Sequence, residues 1–171
     1  MTVEFKLNEI QDIIFYWVSA YSKISPTLIE NERHIIWEEQ DSPQPDSPYI
    51  TLKIISGPDR VGSSDEFLFD ESSHRFSLDG IRSITLSIQV YGTRSHDILS
   101  RLQASLEFPE VGDYFRSKMI SMYDYSGISD ISAELDTVFE KRTHMDVFFY
   151  IPFGGESCVS VIEVVEVFRG D

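Results

Sequence analysis

Near the start of the chain, apolar residues recur at steps of three and four: Leu7, Ile10, Ile14, Trp17, Tyr21 and Ile24. Such spacing forms one stripe of an α-helix, and it predicts a helix from about Asn8 to Ile24. Asn8 with Gln11 three residues on resembles a capping box, Glu9 and Asp12 suit the positive end of the helix dipole, and Pro26 disfavours helical geometry at Ser25. Ile13, Phe15, Tyr16 and Val18 lie off the stripe, so the apolar face is wider than one core requires. Phe15, Tyr16 and Val18 are therefore candidates for contact with another subunit.

From Arg33 onward the period changes to two. Ile84, Leu86, Ile88 and Val90 alternate with Ser83, Thr85, Ser87 and Gln89, the pattern of a strand with one buried and one wet face; it predicts a strand over 81–91. Two further strands are expected at Thr143–Ile151 and Cys158–Phe168. "IPFGGES" between them carries the proline and paired glycines of a turn, so together they read as a C-terminal hairpin. Shorter strands are expected at 33–38, 49–56 and 118–124. A second helix begins at Ser95, a candidate N-cap, carries Ile98, Leu99, Leu102 and Leu106 on one stripe, and ends at Pro109; a short one follows at 110–117. Residues 57–80 are bounded by glycines and too long for a tight hairpin, which reads as a projecting β-arm. The order predicts one α+β domain over residues 1–171: a largely antiparallel sheet, two main helices packed on one face, and the arm.

Pro43, Pro45 and Pro48 stand just before the strand at Tyr49. Proline fixes φ and donates no backbone hydrogen bond, so this stretch is a stiff exposed connector. A connector that holds one shape before binding loses little order when it meets a partner, which makes Pro43 and Pro45 candidate binding residues. In the arm, Phe67 and Phe69 are two apart and share one strand face, while Asp65, Glu66, Asp70 and Glu71 keep that segment soluble. Phe67, Phe69, Asp65 and Glu66 are the arm's candidate partner-binding residues.

Charge narrows the partners. Twenty-nine acidic residues against 14 basic ones give a formal net charge of −15, which opposes tight nucleic-acid binding because that affinity comes largely from Lys and Arg. Cys158 is the single cysteine, so no internal disulfide or all-cysteine metal cluster is possible. The apolar run "IIFYWV" at 13–18 is far short of the ~20 residues of a membrane span, and no basic region precedes it as in a signal peptide. A cytosolic product with no membrane role is expected.

Motifs that would carry chemistry fail on context. "GPDRVGSS" at 57–64 spaces two glycines like a phosphate-binding loop, but Ser63 stands where lysine is needed and Pro58 removes an amide; it reads as a turn. "GESCV" at 155–159 lacks the closing glycine of a nucleophile elbow and leads into a strand. His144 and Asp146 share a strand face, yet nothing fixes a third metal ligand, and with Arg142 they read as a polar ladder on a solvent or subunit face. No catalytic residue, cofactor or metal is expected.

Four segments carry a family resemblance: "WEEQDSPQPDSPYITLKI" at 37–54, "SITLSIQVYG" at 83–92, "LSRLQASLEFPEV" at 99–111 and "ISAELDTVFEKRTHMDVFFYI" at 131–151. Found together and in this order, they resemble the tail-terminator, or neck-terminator, proteins of tailed bacteriophages over about Arg33 to Arg169. The resemblance implies a structural virion protein without a catalytic site. It implies a ring, usually hexameric, that binds the last ring of the tail tube protein, stops tube growth and presents a face to head-completion or neck proteins. DNA would cross its pore without specific binding. The protein would lie at the tail–neck junction of the virion and in the host bacterial cytoplasm during assembly. Competing readings from other classes are a small hydrolase or nucleotide-processing enzyme and a monomeric adaptor that binds peptides at a sheet edge.

Overall fold

The computed structural model describes residues 2–4, 7–25, 27–38, 43–63, 65–135 and 138–158. Its spine is a pair of long strands, β5 (Arg75–Tyr91) and β10 (Arg142–Cys158), of 17 residues each. They run antiparallel without a register break, from Arg142 opposite Tyr91 to Cys158 opposite Arg75. At roughly 3.3 Å per residue the pair extends about 55 Å.

The remaining strands line the two edges of this spine. The chain opens with β1 (Thr2–Glu4), followed by helices α1 (Leu7–Ser22) and α2 (Leu28–Glu32) and by β2 (Ile35–Trp37). Next come β3 (Tyr49–Arg60) and β4 (Glu66–Asp70), which occupy successive stretches of the same β5 edge, with β2 parallel to the start of β3. After β5 come α3 (Ser95–Ser105), α4 (Pro109–Ser117), β6 (Ser121–Tyr125) and β7 (Ser129–Asp130), then the hairpin of β8 (Ala133–Leu135) and β9 (Val138–Glu140). The outer edge of β10 takes up β7, β6 and β1 in turn. The fold is α+β with a mostly antiparallel sheet, as the periodicity predicts.

Alternation along the spine decides where the core lies. Ile84, Leu86, Ile88 and Val90 point to one face, where Phe149, Val147 and Met145 of β10 meet them, all within 1% of full burial. α1, α3 and α4 send Ile10, Ile14, Trp17, Ile98, Leu99, Leu102, Val111 and Phe115 into the same cluster. At its centre the Trp17 ring lies edge-on to Phe115, with centroids 5.7 Å apart, and Phe115 meets Phe149 at 5.2 Å. Trp17 Nε1 donates to Ser105 Oγ at 3.0 Å, so burying the indole leaves its donor satisfied. The carboxamide of Asn31 finishes α1. Its oxygen accepts from the Ile24 and Ser25 amides at 2.8 and 3.2 Å, while Nδ2 donates to Ser22 Oγ at 2.9 Å and to the Ser19 carbonyl.

Several expected boundaries move. "IPFGGES" is no turn: the chain runs extended through it, and the C-terminal hairpin expected there does not form. Pro152 falls in the gap on β10's outer edge between β6, whose pairing ends at Tyr150, and β1, which begins at Gly154, an edge position that tolerates proline. Gly154 lets a neighbour in closely, since a Cβ there would stand 3.2 Å from Asp79 Oδ1. Glycine and proline were signals of close approach and of an edge, not of reversal. The second strand of that hairpin, 158–168, lies outside the described residues beyond Cys158. "GPDR" likewise continues β3, with the turn only at Gly62 and Ser63. Asn8 and Ser95 lie inside their helices rather than capping them, and Pro109 begins α4 as its first residue.

Beyond Arg82 the spine leaves the helices and becomes the arm, a sheet of β4, β5, β10 and β1 in that order. A four-residue clamp stands at its root. Asp65 receives Arg82 Nη1 at 2.5 Å and Nη2 at 3.2 Å, and Arg60 Nε at 3.0 Å. The Arg82 guanidinium lies over the Phe153 ring, 4.2 Å from its centroid. A Cβ at position 80 would come within 2.2 Å of Asp65 Oδ1, so any larger residue there would have to displace the clamped carboxylate. The hydrogen bond from Arg82, with the charges of Arg60 and Arg82 behind it, holds the Asp65 carboxyl below the usual carboxylate range.

Two outcomes follow. Phe149→Ala removes a fully buried ring from the Trp17–Phe115 stack and should lower unfolding free energy by about 3–5 kcal/mol, read by denaturant titration; a loss under 1 kcal/mol would show the stack is dispensable. Asp65→Asn should speed amide exchange across 66–70 and 75–79 while leaving core amides protected. Because the folded-state pKa is depressed, the clamp's contribution is complete above the ordinary value of ~3.9 and lost as pH falls through the lower folded value. Exchange in the wild-type arm, corrected for intrinsic rates, should therefore approach the variant's only at acid pH.

Candidate partner-binding surfaces

Parity fixes what the arm displays. The face of β5 that points into the core in the body continues outward as Arg82, Gly80, Leu78 and Phe76. β4 places Phe67 opposite Leu78 and Phe69 opposite Phe76, so these side chains share one face. The Phe69 and Phe76 rings touch at 5.2 Å, yet Phe67, Phe69 and Phe76 remain 62%, 45% and 40% exposed. The core's apolar face thus runs on past its helical cover. Phe76 joins the two expected phenylalanines, and the signal for it was the even parity it shares with Ile84.

The arm's acids divide by role. Glu66 is exposed and faces Asp79 across the ladder. Asp70 closes the hairpin turn, accepting from the Ser72 amide at 2.9 Å and from the Ser72 and Ser73 hydroxyls at 2.7 and 2.6 Å. These bonds, that of Ser73 first, lower its carboxyl to about 2. Asp65 does not belong to a binding surface: its side chain is only 5% exposed and its oxygens are used by Arg82 and Arg60.

On α1, Tyr16 is 54% exposed and leans on Tyr114 at 5.5 Å. Phe15 is half-buried against the core. Val18 is corrected: it is fully buried in the chain's own core and can touch no other subunit. The apolar stripe is broad because α1 packs against α3, α2 and β2 as well as over the sheet. Pro43 and Pro45 line an open groove of about 630 Å³ with Asp12, Phe15, Arg33 and Ile36. Gln44 Nε2 donates to Tyr49 Oη at 2.8 Å, and His34 Nδ1 lies 3.1 Å from the Asp46 carbonyl, which pins the connector beside the sheet.

The sheet face away from the helices carries the polar ladder. Tyr49 stacks on Tyr91 at 4.5 Å, with the Arg142 guanidinium 4.9 Å from the Tyr91 centroid and Arg142 Nε donating to Gln89 Oε1 at 2.7 Å. Burial, then the charge of Glu140, pushes the Tyr49 phenol up to about 12. His144 Nε2 lies 2.8 Å from Asp146 Oδ1 and 3.1 Å from Ser87 Oγ. A serine–histidine–aspartate relay needs the acid on one ring nitrogen and the serine on the other; here both meet the same nitrogen, and the group is a crosslink between β5 and β10. Among the described residues no three His, Cys, Asp or Glu are placed to hold a metal, and no helix is long and apolar enough to cross a membrane.

No curated protein matches the chain. The family of phage neck terminator proteins does match, from residue 8 to residue 170, a span that takes in the helical layer, the spine and the arm, and the chain belongs to that family.

Proposed function

We propose that this protein, acting as a single terminator domain, forms a hexameric ring at the head-proximal end of a phage tail. The ring caps the tail tube, ends its polymerisation and joins it to the neck and head-completion proteins. The observation that carries this reading is the aromatic face of the arm. Three phenylalanines on one face of the arm's ladder stay exposed and outside the core cluster among the described residues, and aromatic anchors dominate interface energies.

A closed ring is built from one heterologous contact repeated until the rotation closes, so each copy needs two different patches. Tyr16 and the exposed edge of Phe15 on α1 supply one for the neighbouring subunit, and the groove rimmed by Pro43 and Pro45 offers a pre-shaped surface beside it. The arm, with Phe67, Phe69 and Glu66, is left for the tube or neck. The net charge of −15 weakens attachment of the genome as it crosses the pore. Assembly takes place in the host cytoplasm, and the protein then stays at the tail–neck junction.

Phe67→Ser with Phe69→Ser should leave the thermal melt nearly unchanged and abolish capping, because truncating each anchor costs ~2 kcal/mol or more of binding. Electron microscopy would show overlong tubes or unjoined heads; normal tubes with heads attached would remove the arm from the binding surface. Tyr16→Asp should keep the fold and shift the ring toward smaller species by mass photometry, with unaltered rings removing α1 from the subunit contact. Cys158→Ser should assemble normally, and loss of capping in a folded variant would return the thiol to consideration.

A further inference from the structure

A row of unpaired backbone groups at a sheet edge is a template for another strand, and folded proteins guard such rows with short strands, bulges, prolines or charges. The described edges here follow that rule, β4 least of them. β1, β2 and β7 are two or three residues long. β3 shifts register twice beyond Ile54 and contains Pro58. β6 meets a register break at Phe148 and Phe149 and carries Asp124 within it. β4 is guarded only by the charges at its two ends, Glu66 and Asp70: all five residues pair in regular register with β5, and its centre, Phe67, Leu68 and Phe69, holds no bulge, proline or charge.

We infer that β4 takes up an extended segment of a partner protein as an added strand, and that this segment is apolar at its centre with Lys or Arg opposite Glu66. The inference rests on the arm being the docking element, and it adds how the arm binds and what it selects. Charge chooses the occupant. A second β4 pairing antiparallel about Leu68 would set Glu66 of each strand against Asp70 of the other, and parallel pairing would set each acid against itself. Like charges directly opposite destabilise a ladder, so another copy of this strand is rejected. Glu66 already faces Asp79 on the same side of the arm, a repulsion that a cation on the incoming strand relieves. Backbone hydrogen bonds along β4 then give affinity, and alternate side chains, falling on the Phe67–Phe69 face, give specificity.

The test uses the full chain and purified tails assembled without it. In hydrogen exchange, amides of 66–70 should slow at least tenfold when tails are added. Glu66→Lys should melt at or above the wild-type temperature, since it removes the repulsion with Asp79, yet capture tails at least tenfold more weakly; Glu66→Gln should fall between. The opposite signs separate docking from folding. Unchanged exchange at 66–70, wild-type capture by Glu66→Lys, or a lowered melt of that variant would each overturn strand addition. If Phe67→Ser with Phe69→Ser still abolishes capture in that case, the arm docks by its aromatic face alone; if that variant also captures normally, the arm reading itself falls.

Discussion

The ladder between β5 and β10 is the constraint on which everything else depends. In the body it presents Ile84, Leu86, Ile88 and Val90 with their partners to the helices and closes a core. In the arm the same hydrogen-bonding pattern persists after the helices stop, and the same parity now faces solvent. Burial and display are thus two ends of one alternation. The change is marked by Arg82, whose charge would be costly in the core and is matched there by Asp65.

Much of this was legible in the sequence because alternation is a local signal. The strand at 81–91, the helix at about 8–24 and the arm's phenylalanines all follow from residue spacing. What was not legible depended on partners distant in sequence. Gly154 and Pro152 look like reversal signals, but opposite Asp79 and Ile81 they are places where a neighbour comes close or an amide is not needed. Val18 looked like surplus apolar surface, and only the several elements around α1 account for it. Asp65 read as one more solvated acid, because nothing in the sequence places two arginines around it.

The two sheet faces divide the labour of the molecule. One is sealed by aromatic and aliphatic packing around Trp17. The other is held by stacked tyrosines, Arg142 on Gln89 and the His144 crosslink, contacts that tolerate water and bind the strands to one another side to side. Rigidity of the spine therefore does not depend on the helical layer alone, and the arm inherits it.

That inheritance limits how the protein can vary. Side chains along a strand alternate faces, and one ladder runs from Tyr91 to Arg75 without a break. Inserting a single residue into β5 beyond Arg82 would rotate Phe76 and Leu78 to the opposite side while leaving the core untouched. Lengthening the arm to reach a differently spaced partner would take residues added in pairs, matched on both spine strands and on β4. Relatives with longer or shorter arms should then differ by even numbers per strand, so that reach is quantised in steps of about 7 Å.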